Sequence, residues 1–201
     1  LINQKNGSRT IFTKRSNKMK LTKEINIKPN LILIDGQELE VSKKVLENNP
    51  FAISIIDAGR IKPEVIELAK MVDYVVCSKD FAEEFTNKKT DIKDINSLIS
   101  IYNEIKNYFK TNIIITLEAD GSFTEIDGHY KVIPSIKVKA IDSTGAGDIF
   151  HGAFTYFIGM NYSLEDAIKY SSISGAISVT RIGSRNSIPM LEEVLDYDNI
   201  I

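Results

Sequence analysis

An α/β fold is what this 201-residue sequence predicts: a three-layer αβα unit on a largely parallel, Rossmann-like sheet. Short, continuously apolar runs of strand length recur along the chain, the pattern of strands buried on both faces. Segments with helical periodicity separate them, and alternation of the two periods means βαβ units with helices on both faces of the sheet. The runs also end in turn formers or small polar and acidic residues, where such sheets collect their ligands. With 43% hydrophobic residues and no long apolar tract, residues 1–201 read as one globular unit without a membrane span.

Residues 1–30 are polar and basic, with Lys14, Arg15, Lys18 and Lys20 clustered around a short apolar strand at Thr10–Thr13. They read as a solvated lead-in rather than a phosphate-binding patch. Regular structure begins at Leu31–Ile34, a strand ending in Asp35-Gly36, followed by a helix over Glu38–Asn48. Phe51–Ile56 is the next buried strand; it ends at Asp57-Ala58-Gly59, and a helix over Pro63–Met71 follows. The strand Tyr74–Cys77 leads through Ser78 into a helix over Lys79–Phe85. Asp94–Phe109 is a longer helix and Asn112–Leu117 another apolar strand. Residues 121–138 predict a hairpin turned at Asp127-Gly128, its second arm an apolar strand from Tyr130 to Val138. Helices follow at Asp148–Met160 and from Leu164 to about Thr180; a Gly-containing loop, Ile182–Pro189, precedes a last helix from Met190.

The chemistry sits in Ala140–Phe154, which reads A-I-D-S-T-G-A-G-D-I-F-H-G-A-F. A strand runs into Asp142, Ser143 and Thr144, crosses Gly145-Ala146-Gly147 and enters a helical pattern. Glycine permits positive φ and leaves no Cβ in the way of a bulky anion. The unpaired N–H groups of a helix's first turn, at the positive end of its dipole, then make Gly145, Ala146 and Gly147 an anion hole for a phosphoryl group. Asp148 at its rim would repel a phosphate that is merely bound. Set against an acceptor hydroxyl, it can take the proton as that oxygen attacks phosphorus while the amides hold the developing charge. This is a kinase arrangement without a Walker A lysine. The alternative is a helix-capping Asp after a Gly-rich turn.

The stretch Asp142–Phe154 resembles the second signature of the ribokinase-like (PfkB) carbohydrate kinases, D-[ST]-[ST]-G-A-G-D-x-F-x-G-A-F, and matches every fixed position. The resemblance runs from about Arg9 to Pro189, through I-L-I-D-G, D-Y-V-V-C-S-K-D, I-I-I-T-L and S-V-T-R-I-G-S-R-N-S-I-P. It implies the C-terminal part of one such kinase domain, a ribokinase-like fold, and transfer of the γ-phosphoryl of ATP to a small sugar, sugar phosphate or nucleoside. In its terms Asp148 is the catalytic base and Gly145, Ala146 and Gly147 form the anion hole. Asp35 and Asp148 face the acceptor, and Thr116, Thr144, Gly145 and Gly147 face the nucleotide. Mg²⁺ accompanies ATP, and a monovalent cation such as K⁺ sits at Asp142, Thr144, Ser178, Gly183 and Ser187.

Two positions depart from the family pattern. Where many relatives have N-x-x-E, whose glutamate orders magnesium through water, this chain has Ser78 and Phe81. Where they have T-x-G at the nucleotide phosphates, it has Thr116-Leu117-Glu118, whose carboxylate repels phosphate unless it turns outward. The first Gly-Gly signature and the β-sheet lid of relatives are absent from these residues, and Leu1 in place of Met suggests an upstream part. A homodimer through that lid, and a truncated, catalytically incompetent nucleotide-binding protein, are the attendant expectations.

A formal charge of −2 and a pI near 5.8 argue against nucleic acid, whose phosphates demand a basic surface. The single cysteine, Cys77, excludes an internal disulfide and suits a cytoplasmic setting, with the thiol packed as a small hydrophobe. Asp35 reads equally as a turn former before glycine, and at Asp57, in an equivalent place, the turn reading is the stronger. His151, three residues after Asp148 on the same helix, is placed to line the site but reads rather as a packing residue.

Overall fold

The computed structural model describes Lys5 and residues 27–198, so the strand expected at Thr10–Thr13 and its basic cluster lie outside the described residues. Six strands form one sheet: β1 (Leu31–Ile34), β2 (Ile53–Ala58), β3 (Tyr74–Ser78), β4 (Asn112–Thr116), β5 (Ser122–Ile126) and β6 (His129–Ile133). They lie side by side in chain order. The first four are parallel, and the hairpin β5–β6 adds antiparallel at the far edge.

Helices α1 (Leu39–Asn48), α2 (Pro63–Leu68), α3 (Lys79–Thr86) and α4 (Ile95–Phe109) connect the parallel strands; α5 (Ala146–Gly159), α6 (Leu164–Ser178) and α7 (Leu191–Asp198) follow the hairpin. When parallel strands are added in one direction by crossovers of one hand, the connecting helices all fall on one face. The core divides accordingly. Ile56, Val75, Cys77, Ile113 and Ile115 pack with Leu68, Phe81, Leu98, Ile101 and Ile105 of the first four helices. Their neighbours of opposite parity, Ile55, Val76 and Ile114, pack with Phe150, Phe154, Phe157, Ile168 and Val194 of the last three. Period-two alternation thus feeds two cores from each central strand, and the expected αβα layering is observed.

Ends of elements differ from the expected ones where tertiary contacts intervene. The second strand starts at Ile53, not Phe51, whose side chain is 99% exposed. The Pro63 helix closes at Leu68 and continues as tight turns, Lys70 N–H to Glu67 O and Met71 N–H to Leu68 O. The hairpin turns at Asp127-Gly128 as expected, both with positive φ. Its second arm stops at Ile133 rather than Val138, because Ile133 pairs with Ser122, the first residue of β5, and Pro134 then lacks a donor. A 3₁₀ turn over Glu118–Asp120 had no counterpart in the sequence reading. The helix expected from Asp148 begins two residues earlier, at Ala146.

Candidate active site

Asp35 follows β1, Asp57 lies near the end of β2, Ser78 ends β3 and Thr116 ends β4, so the carboxyl ends of the parallel strands gather these side chains. The first turn of α5 completes the site. Gly145 caps it with φ 82°, and a Cβ there would come 2.8 Å from the Ser184 Cβ in the loop after α6. Glycine is required at 145 on both counts. Gly145 O accepts from Ile149 N–H at 2.8 Å, and Ser143 O accepts from Ala146 N–H at 3.3 Å. Gly147 has open space where a Cβ would stand, and Gly147 and Asp148 are both exposed. Starting the helix at Ala146 makes Ala146, Gly147 and Asp148 its first three residues, whose amides have no intrahelical acceptor.

Asp142, 3% exposed, anchors this turn. Its Oδ1 accepts from Thr144 N–H at 2.8 Å and its Oδ2 from Gly183 N–H at 2.9 Å. Val179 O receives both Ile141 N–H and Asp142 N–H. One carboxylate therefore joins the approach to α5 with the exit from α6. Of the residues expected to hold a monovalent cation, Asp142, Thr144 and Gly183 meet directly, and Ser187 joins through its N–H to Gly183 O at 3.1 Å. The Ser187 hydroxyl donates to Ser184 O. Ser178 is buried nearby, but its hydroxyl turns back to Gly175 O at 2.7 Å. The loop is held at its start by Arg181, paired with Glu193 of α7.

Asp35 is exposed, and its Oδ1 accepts from Gln37 N–H at 2.9 Å, so the turn role expected of it is present. Asp57 is the more buried carboxylate, with its side chain 22% exposed. Burial pushes its carboxyl up; the charge of His151 pulls it down, and Asp148 and Asp35 push it up again. Those couplings put Asp35, Asp57, Asp148 and His151 in one electrostatic cluster. His151 is buried, as packing requires, and its ring also reaches the strands, at Val76 O and Asp57. The i, i+3 spacing from Asp148 was the only local signal of it.

The departures from the family pattern have structural reasons. Ser78 caps α3, accepting from Phe81 N–H at 3.0 Å, and its hydroxyl donates to Gly59 O at 2.8 Å. Phe81 is fully buried in the core. Thr116 spends its hydroxyl on a long contact to Cys77 O, 3.4 Å. Glu118 is exposed and has φ 57°, a left-handed backbone that suits the glycine of T-x-G. Burial pushes the Cys77 thiol up to about 12, leaving it an inert core residue. Among the described residues no group of three His, Cys, Asp or Glu is arranged to hold a metal ion, and no helix is long and apolar enough to cross a membrane.

Beside Gly145 and Asp148 opens a cleft of about 510 Å³ between α5, α7 and the loop after α6, largely apolar, with Tyr156, Arg185 and Ile188 in its lining.

A family model described as pfkB family carbohydrate kinase matches residues 2–191. The ribokinase of Staphylococcus aureus is 29% identical over 204 residues, covering 94% of this chain and 65% of that protein. The ribokinase of Lactococcus lactis is 30% identical over 115 residues, 57% of this chain and 38% of its own length. In structure, the ribokinase of Thermotoga maritima superposes with a TM-score of 0.67 at 26% identity, over 84% of this chain and 56% of its own. That of Arabidopsis thaliana, complexed with ribose and ATP, reaches 0.67 at 21% identity over 83% of this chain and 55% of its own, a likeness of fold. The chain thus spans roughly two fifths to two thirds of the length of these proteins.

Proposed function

The chain belongs to the pfkB family of carbohydrate kinases, and from that premise we propose that it carries the phosphoryl-transfer centre of an ATP-dependent kinase acting on a small carbohydrate. The observation that carries the reading is the Gly145–Gly147 turn opening α5 with exposed Asp148 in its first turn. An acceptor hydroxyl beside Asp148 gives its proton to the carboxylate as its oxygen bonds to the γ-phosphorus. The bond from that phosphorus to the bridging oxygen breaks, and ADP leaves with the electron pair. The amides of Gly145, Ala146 and Gly147 face the oxygens that gain charge, with Ala146 N–H exchanging its 3.3 Å bond to Ser143 O for them. The acceptor, a sugar, sugar phosphate or nucleoside, lies on the Asp148 side with Asp35. The nucleotide phosphates lie on the side of Thr116 and Thr144. ATP bound to the Arabidopsis protein of the same fold supports this choice of donor.

Among the described residues no group of three His, Cys, Asp or Glu is arranged to hold a metal ion, so Mg²⁺ would arrive with the ATP phosphates, as it commonly does. For a monovalent cation, Asp142, Thr144, Gly183 and Ser187 already converge, with the N–H groups of Thr144 and Gly183 on the Asp142 carboxylate and Ser178 the outlying member. Such an ion would stiffen the turn and offset phosphate charge. The vibrio fructokinase structure that shares this fold holds potassium and ADP. A small-molecule acceptor, a cytoplasmic setting and pairing through a lid outside these residues complete the reading.

The test is Asp148→Asn in an active kinase containing this chain: nucleotide affinity is kept and kcat falls by ~10²-fold or more. Near-normal kcat removes Asp148 as the base. A second reading, a catalytically incompetent nucleotide-binding protein, is favoured by the departures from the family pattern at Ser78, Phe81 and Glu118. A protein containing this chain, assayed for ADP release with ribose, fructose, adenosine and a sugar phosphate, decides between the two. Turnover near ~1–100 s⁻¹ refutes incompetence, and ADP binding without turnover supports it.

A further inference from the structure

His151 takes no part in the scheme above, yet its ring is 6% exposed and both nitrogens face oxygens. Nδ1 lies 2.6 Å from Gly147 O in the first turn of α5, and Nε2 lies 3.2 Å from Val76 O in β3. Asp57 Oδ2, from the end of β2, stands 3.4 Å from Nδ1. Carbonyl and carboxylate oxygens only accept. A neutral imidazole donates from one nitrogen and carries a lone pair on the other, so one of these contacts would oppose lone pair to lone pair. A doubly protonated ring satisfies both carbonyls and gives Asp57 a counter-ion. The charged group facing it is Asp57 from β2, and Asp148 of its own helix acts on Asp57. β3 contributes the Val76 carbonyl, and Asp35, after β1, acts on Asp57.

We infer that His151, held as imidazolium by Asp57, is a positioning residue that clasps the first turn of α5 to β2 and β3 and thereby aims the Asp148 N–H beside the anion hole. The carbonyl of Gly147 and the N–H of Asp148 belong to one trans peptide and point in opposite directions. A cationic donor on the carbonyl fixes that peptide plane, holds the N–H toward the open end of the helix and polarises it toward an incoming anion. The clasp also ties a Gly-rich turn to the rigid middle of the sheet, as groups behind a reactive centre commonly do. The aiming role rests on the reading of the turn as a phosphoryl site; the protonated clasp does not.

The test is a ring ¹⁵N–¹H correlation spectrum of the histidine-labelled chain at about pH 7, with exposed His129 as internal reference, together with ADP titrations. Two protonated nitrogens are expected on His151 in the unaltered protein, and a neutral ring in Asp57→Asn. ADP affinity falls ~10-fold in His151→Phe, which keeps a planar ring without donors, and partly recovers in His151→Gln, whose amide reaches one carbonyl. A bare ring nitrogen in the unaltered protein overturns the clasp. Unchanged ADP affinity in a folded His151→Phe overturns the aiming role. Should His151→Phe not fold, Asp57→Asn decides: an intact imidazolium there, with ADP bound as before, overturns the inference. ADP that binds none of these proteins sinks the phosphoryl reading and the aiming role together, while the ring spectrum still decides the clasp.

Discussion

The two glycines of the anion hole are required for different reasons, so substituting each by alanine separates folding from binding. At Gly145 an alanine must hold φ 82° and bring its Cβ to 2.8 Å from the Ser184 Cβ. The left-handed backbone alone costs about 1–2 kcal/mol for a residue with a Cβ, and the crowding adds about 1 kcal/mol or more, since Ser184 must shift to make room. A total of about 2–3 kcal/mol lowers Tm by about 4–12 °C in a domain of this size. At Gly147 the backbone is helical and nothing lies within 4 Å of an added Cβ. Alanine there leaves Tm unchanged or raises it slightly, because it is the better helix former by up to about 1 kcal/mol. That same Cβ occupies the approach of the anion, so ADP affinity drops ~10-fold or more. Thermal unfolding by circular dichroism and ADP titration calorimetry on both variants give the four values needed. A Gly145→Ala protein as stable as the parent would refute the steric argument, and a Gly147→Ala protein that binds ADP normally would move the phosphate away from this turn.

Other perturbations test separate parts of the structure. Turnover of an active kinase containing this chain rises when potassium replaces a bulky organic cation at constant ionic strength, and equal rates in the two salts would remove the cation site at Asp142, Thr144 and Ser187. Glu118→Gly relieves the φ 57° backbone and raises Tm by about 1–4 °C, the strain relief of about 1 kcal/mol being partly offset by the freer unfolded chain; a lower Tm would show that Glu118 holds the turn by other means. Glu83 accepts from Lys89 Nζ at 2.6 Å and from Thr90 N–H and Oγ1 at 3.0 and 2.7 Å. Burial pushes its carboxyl up, but the hydrogen bonds of Lys89 and Thr90 outweigh this and hold it at about 2, below the ordinary 4.5. A depressed carboxyl stabilises the fold above its unfolded value, and the contribution is lost as pH falls from about 4.5 through about 2. Lys89 is 89% exposed and screened by water, so the amount is about 1 kcal/mol. Unfolding measured from about pH 5 to pH 2 therefore steepens in the parent relative to Glu83→Gln, and parallel profiles would refute the assignment.

The sequence by itself determined what depends on neighbours a few residues apart. Apolar runs and helical periods placed β1 to β4 and the helices between them, and Asp127-Gly128 placed the hairpin turn, because period and turn chemistry are local properties. The G-A-G-D turn was legible for the same reason: its glycines, its amides and Asp148 lie within four consecutive positions. Tertiary structure decided which distant groups meet. Only the chain-order sheet sends α1 to α4 to one face and leaves the other to α5, α6 and α7. Only that packing brings Ser184 against Gly145 and Gly183 onto Asp142. It also gives Ser78 a capping role and leaves Phe51 bare. The contact of His151 with Val76 spans 75 residues; no periodicity encodes it, because it exists only once β3 lies beneath the first turn of α5. Chemistry carried by consecutive residues could be read from the chain, whereas the support that holds it in place arises from the order of strands in the sheet.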